Sequence, residues 1–207
     1  MALLKALLLP LQLWNDVILK IGRGIGIVAI GLMVVAILIQ VFFRYVLNNA
    51  LPWPDEAARF MMLWLTGLMA PTAYRRGGFV AIDLAVRALP ERIGAIVSLF
   101  LLVVALAVLL VALPIGWKEV TGFSGSFTTA SLQTVFIISF TDGFPWLSFE
   151  FGWFKMPRSQ MMASLLVGVF LLIVVNIELI IRSLIVLLGG GEDLRPIPVG
   201  EDEIMAE

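Results

Sequence analysis

The sequence predicts an all-α integral membrane protein with four transmembrane helices, an N-terminal interfacial helix and both termini cytoplasmic. Three observations lead there. Hydrophobic residues make up 61% of the 207 residues and charged residues 14%, against roughly 45–50% and 25% in soluble domains. The apolar residues gather in four long runs, each near the ~20 residues that carry a helix across the hydrocarbon core. Lysine and arginine are unevenly divided between the loops those runs would join.

Residues 1–23 read as the interfacial helix. Leu3, Leu4, Leu7, Leu11, Trp14 and Ile18 recur at helical spacing, while Lys5, Gln12, Asn15 and Lys20 are polar. Such a helix lies in the headgroup plane with Trp at the boundary. Pro10 is expected to kink it or divide it in two. The short apolar stretch, Pro10 and the polar residues that follow speak against a cleaved leader.

The membrane domain occupies residues 24–188, with spans at about 25–43, 57–74, 93–115 and 161–188. Gln40 interrupts the first near its end. The second is the most polar, with Arg59 and Pro71. The third carries no charge, and the fourth has Asn176, Glu178 and Arg182 in its second half. In lipid, backbone polar groups must be satisfied internally, so isolated runs of this length form helices. The alternating segments of a barrel are missing.

Four spans place the N-terminus, the second loop and the C-terminus on one side. That side holds Lys5, Lys20, Arg23, Arg75, Arg76, Arg87, Arg92, Arg182 and Arg195. The other holds Arg44, Arg59, Lys118, Lys155 and Arg158. The richer side is cytoplasmic by the positive-inside rule, with Arg75 and Arg76 as its strongest local signal. These two are expected to reach lipid phosphates by extending their side chains. Residues 189–207 follow, opened by Gly189-Gly190-Gly191 and then acidic and Pro-containing, as a disordered cytoplasmic tail.

Residues 117–158 form a long outer loop rich in Gly, Ser, Thr and aromatics. Residues 132–140 within it are apolar but too short to cross, and are expected to form an interfacial or partly re-entrant helix. Aromatic surface of this extent points to a contact with a partner or with the membrane.

Composition excludes several chemistries. Net charge is −1, so no basic face offers itself to nucleic acid. Histidine and cysteine are absent, which removes His-ligated metals, a histidine base and disulfides. No glycine loop for phosphate appears, and no cofactor or metal is implied. Gly122-Phe123-Ser124-Gly125 has the pattern of rhomboid-type intramembrane proteases, but a serine nucleophile needs a base nearby. With no histidine the chain is not expected to be an enzyme.

The first outer loop leads into Trp53-Pro54-Asp55-Glu56-Ala57-Ala58-Arg59. Pro54 suits the first helical turn, Asp55 and Glu56 face the positive end of the helix dipole, and Trp53 suits an interface. Glu56 and Arg59 are three apart and can pair on one face. This is a well-capped helix start, and it also offers a charged elbow to a partner. On the last span, Glu178 and Arg182 are four apart and read as an ion pair near the cytoplasmic interface.

Taken in order, Phe42-Phe43-Arg44-Tyr45, Leu51-Pro52-Trp53-Pro54-Asp55-Glu56, Tyr74-Arg75-Arg76-Gly77-Gly78 and Phe79-Val80-Ala81-Ile82-Asp83 resemble the DctQ-type small membrane subunits of tripartite ATP-independent periplasmic (TRAP) transporters. That family pairs an arginine ending the first span with a Trp-x-x-Glu start to the second, then a basic-Gly loop and a hydrophobic-x-Asp segment. The resemblance is best over residues 20–115. Phe79 stands where the family often has histidine, and the loop 117–158 is longer than the family's.

The resemblance implies a structural subunit of an ion-driven importer of small solutes such as organic acid anions. Its partners would be a large multi-span (DctM-like) transport subunit, a periplasmic (DctP-like) substrate-binding protein and membrane lipids. Arg44, Trp53, Asp55, Glu56, Arg59 and Asp83 are the candidates for subunit contact or docking. The alternative is a self-contained homo-oligomeric carrier or channel. Small exporters of that kind carry an acidic residue in the first span, where this chain has only Gln40.

Overall fold

The computed structural model describes residues 2–77, 90–122, 127–140 and 147–188, with 190 and 197 singly. Asp83, Phe79 and nearly all of the tail 189–207 lie outside the described residues. The architecture is mostly helical, in the order α1 (Ala2–Tyr45), α2 (Trp53–Arg75), α3 (Glu91–Thr121), β1 (Thr128–Phe140), β2 (Leu147–Pro157) and α4 (Arg158–Leu187).

Helix α1 runs unbroken through Pro10. Near the start of a long helix the proline removes one backbone hydrogen bond without dividing the element. The expected division of the N-terminal helix at Pro10 is therefore absent, and the same helix continues to Tyr45. At ~1.5 Å per residue its 44 residues extend about 66 Å, so part of α1 must lie beyond a hydrocarbon core about 30 Å thick. Its buried stripe is Leu8, Gln12, Asn15 and Leu19, while Leu7, Leu13, Trp14 and Val17 are exposed. Gln12 and Asn15 thus turn inward and the apolar face turns out, the reverse of the expected orientation for those two residues. The helix is followed by Asn48 in left-handed backbone at φ 51°, a conformation asparagine tolerates well.

Among the described residues three helices are long and apolar enough to cross a membrane: Ala6–Tyr45, Ile93–Thr121 and Arg158–Leu187. The expected crossing at 57–74, within α2, is not among them. Its 23-residue helix has the length, but Arg59, Arg75, Thr66 and Thr72 dilute its hydropathy.

The all-α expectation misses one element. β1 and β2 pair antiparallel, with Thr128 opposite Pro157, Gln133 opposite Lys155 and Phe140 opposite Leu147. Residues 132–140 are therefore strand and not helix. Threonine, valine, isoleucine and phenylalanine dominate this stretch, and these residues fit a pleated strand better than a short helix. The register shifts twice, between Thr128 and Gln133 and between Thr134 and Phe136, as bulges do.

The chain divides into two compact units. One comprises Met1–Ile21, Ala70–Leu110 and Phe170–Glu207; the other comprises Gly22–Met69 and Val111–Val169. In the second, α2 meets α4 backbone to backbone. A Cβ on Gly67 would strike the Ser164 carbonyl oxygen, and one on Gly168 would lie 2.9 Å from the Gly67 Cα. Small residues permit this close approach, which in lipid replaces the hydrophobic effect as a source of helix association. Trp64 Nε1–H donates to the Gln160 carbonyl at 3.2 Å in the same contact.

Candidate functional site

The first unit holds a buried charged cluster built from three helices. α1 brings Asn15, within the inward stripe, and Asp16 beside it. α2 brings Arg75, its last residue. α4 brings Glu178 and, one turn on, Arg182. The Arg75 guanidinium donates through Nη1 to Asp16 and through Nη2 to Glu178 Oε1 at 2.8 Å. Asn15 Nδ2 donates to the other Glu178 oxygen at 2.6 Å, and Arg182 Nε donates to Oε1 at 3.2 Å.

The Glu178 side chain is 0% exposed and that of Arg75 5%. Removing two such ions from water costs several kcal/mol each, and good geometry is needed to offset it. Here two carboxylates meet two guanidinium groups, so formal charge cancels within the cluster. Tyr74 and Asn176 extend it, with Asn176 Nδ2 donating to the tyrosine hydroxyl at 2.8 Å. Gln12 Nε2, Thr72 Oγ1, Arg75 Nε and Asn176 Oδ1 are buried without a hydrogen-bond partner among the described residues. Glu178 has both oxygens engaged, so it is poorly placed to act as base or nucleophile. The arrangement fixes three helices against one another.

This runs against one expectation and enlarges another. Arg75 is buried among carboxylates and does not reach toward lipid phosphates, although Arg76 beside it is exposed. Glu178 and Arg182 do face each other, but as part of a four-charge buried cluster and not as an isolated pair. Asn15 and Asp16 were missed as partners. Their sequence signal was the spacing Gln12, Asn15, Asp16, which places three polar groups on one helix face.

The second unit holds the elbow at the start of α2. Arg59 pairs with Asp55 at 2.8 Å, one turn apart and largely exposed, and not with Glu56 as its spacing suggested. Glu56 instead serves the hairpin. Its carboxylate accepts from the backbone N–H of Ala130 at 3.1 Å, Ser131 at 2.9 Å and Leu132 at 2.7 Å, and from the Ser131 hydroxyl at 2.7 Å. Those three N–H groups fall within the first register shift of β1, where the ladder leaves donors unclaimed. Burial works to raise the Glu56 pKa, and the hydrogen bonds from Ser131, Leu132 and Ala130 outweigh it, so the carboxyl titrates below its ordinary 4.5.

Trp53 begins α2 and is partly exposed. Arg44 lies in the last turn of α1 with its guanidinium 5.7 Å from the Tyr45 ring centroid. The structure thus brings Asp55, Glu56 and Arg59 together on one helical turn, two of them paired and one committed to β1. Among the described residues no three His, Cys, Asp or Glu side chains gather as a metal site.

No curated protein and no solved structure matches the chain. The family model described as tripartite ATP-independent periplasmic transporters, DctQ component, matches residues 33–185. The match takes in α4 and the hairpin as well as α2, and so reaches beyond the stretch where the sequence motifs resemble the family. It leaves Asn15 and Asp16 outside.

Proposed function

The chain belongs to the DctQ component family of the tripartite ATP-independent periplasmic transporters, and from that premise we propose that it braces a larger transport subunit without itself conducting substrate. It is a small membrane subunit of a TRAP transporter. In the proposed reading, the large multi-span partner carries a small organic acid anion together with a coupling ion, and a periplasmic binding protein delivers the anion. α2 makes a fourth crossing, both termini are cytoplasmic, and the elbow around Arg44, Trp53, Asp55, Glu56 and Arg59, with Asp83, contributes to subunit contact and docking.

One observation carries the bracing role. The charged groups buried between the helices neutralise one another: Arg75 with Asp16 and Glu178, and Arg182 with Glu178. Subunits that pass ions usually keep ionisable groups facing a water-filled path. A closed, neutral cluster instead favours a stiff frame.

The test is a tagged purification in mild detergent, with mass spectrometry of the accompanying proteins. A stoichiometric larger multi-span protein is the expected result. A pure homo-oligomer would contradict the proposal and favour a self-contained carrier.

A further inference from the structure

The second unit contains the end of the first membrane-crossing candidate, the end of the second and the start of the third. Each of these ends carries a cation with an aromatic residue close by in the sequence. Arg44 precedes Tyr45 in the last turn of α1, and Lys118 follows Trp117 in the last turn of α3. Arg158 begins α4, and Lys155 and Trp153 precede it on β2.

The β2 arrangement is the most telling. Trp153 is 79% exposed. Lys155, two residues on, shares its face and is also exposed, whereas Met156 turns to the other face and is buried. At ~3.4 Å per residue, Lys155 lies within about 10 Å of the first residue of α4 and Trp153 within about 17 Å. The headgroup layer on each side of the hydrocarbon is roughly 5–7 Å thick, so this face of the strand lies at that layer or just above it.

Little acidity offsets these cations. Asp55 is taken by Arg59 and Glu56 by β1. That leaves Glu119 among the acidic side chains described in this unit, Asp142 and Glu150 lying outside them. An exposed tryptophan near Lys118, Lys155 and Arg158, none of them ion-paired among the described residues, matches an anionic headgroup: ring in the interface, cation on the phosphate.

We propose that this end of the second unit binds anionic phospholipid through Lys118, Lys155 and Arg158, with Arg44 at its edge. The occupant is a membrane lipid bearing net negative charge, and the proposal requires only that these helices cross a membrane.

The test uses the full-length chain in nanodiscs of equal phosphatidylglycerol and phosphatidylcholine. Mild detergent extraction follows, and the retained lipid is counted by mass spectrometry. Wild type should retain phosphatidylglycerol preferentially. A cation near a membrane surface contributes about fivefold, roughly 1 kcal/mol. The Lys118→Gln/Lys155→Gln/Arg158→Gln variant, checked for monodispersity, should therefore lower the ratio by at least about tenfold. Equal retention of both lipids by wild type overturns the proposal. So does an unchanged ratio in the variant. If the variant keeps its lipid but loses capture of the periplasmic binding protein, the surface serves a protein and the lipid assignment falls.

Discussion

Glu178→Ala is expected to lower the thermal unfolding temperature in detergent by about 10 °C. Removing one partner of a buried ionic group leaves the others uncompensated, at about 3–5 kcal/mol, and each kcal/mol moves the midpoint of a chain this size by about 2–4 °C. Glu178 joins α1, α2 and α4 through Asn15, Arg75 and Arg182, so its loss takes a carboxylate from two guanidinium groups at once, leaving Arg75 with Asp16. Arg75→Leu should do comparable harm, since it takes the guanidinium from Asp16 and one of two from the fully buried Glu178. The double variant Arg75→Leu/Glu178→Leu should lose less than the two single losses added. It removes the two most buried charges together, leaving Arg182 and Asp16, whose side chains retain 13% and 20% exposure. Strict additivity in that cycle would show that the cluster is not a cooperative unit.

Glu56→Ala is expected to release the hairpin from α2 while leaving the helices folded. The carboxylate holds three backbone N–H groups and one hydroxyl of β1. A hydrogen bond to a charged group is worth about 1.5–3 kcal/mol when well sheltered; the exposure of this site favours a total loss of about 2 kcal/mol. Limited proteolysis within residues 127–157 should quicken by an order of magnitude or more, with α4 remaining intact. A two-stranded hairpin is marginal by itself, so its cleavage reports the anchor directly. The pH dependence has a definite sign. The Glu56 carboxyl titrates lower in the folded chain than its ordinary 4.5, so its contribution is present in full above about pH 4.5 and fades as pH falls through the lowered value. Wild type should resist cleavage at neutral and mildly acidic pH and lose protection below the ordinary carboxylate range, whereas Glu56→Ala should be cleaved readily throughout. A Glu56→Ala hairpin as resistant as wild type at pH 7 would show that the strands are held by something else.

Three of the four expected spans were legible as long apolar helices, because such runs and the backbone's need for internal partners leave few options. The hairpin was less so. Its threonines, isoleucines and phenylalanines form a continuous apolar run in places, without the strict alternation that marks a half-buried strand. Asp142-Gly143, a pair suited to hairpin turns, stands in the sequence between the two strands and went unused.

The cluster was legible on one helix at a time and opaque across helices. Four-residue spacing identified Glu178 with Arg182, but nothing local could say that Arg75 would prefer two carboxylates to lipid phosphate. That choice depends on α2 ending beside α1 and α4, a tertiary fact. Gln12 and Asn15 misled for a related reason. On a helix at a water interface polar residues face out, whereas on a helix surrounded by lipid they face the protein. Glu56 went to β1 because three backbone N–H groups and a hydroxyl offer it more than Arg59 can from three residues away, and Arg59 settles on Asp55.

In the role proposed for it, this subunit supports transport without performing it. The most direct measurement of that role is uptake of a labelled organic acid anion into proteoliposomes supplied with the periplasmic binding protein and a sodium gradient. Uptake is predicted when this chain and its large partner are both present, and neither the chain alone nor the partner alone should support it. Uptake by this chain in the absence of the large partner would contradict a purely supporting role.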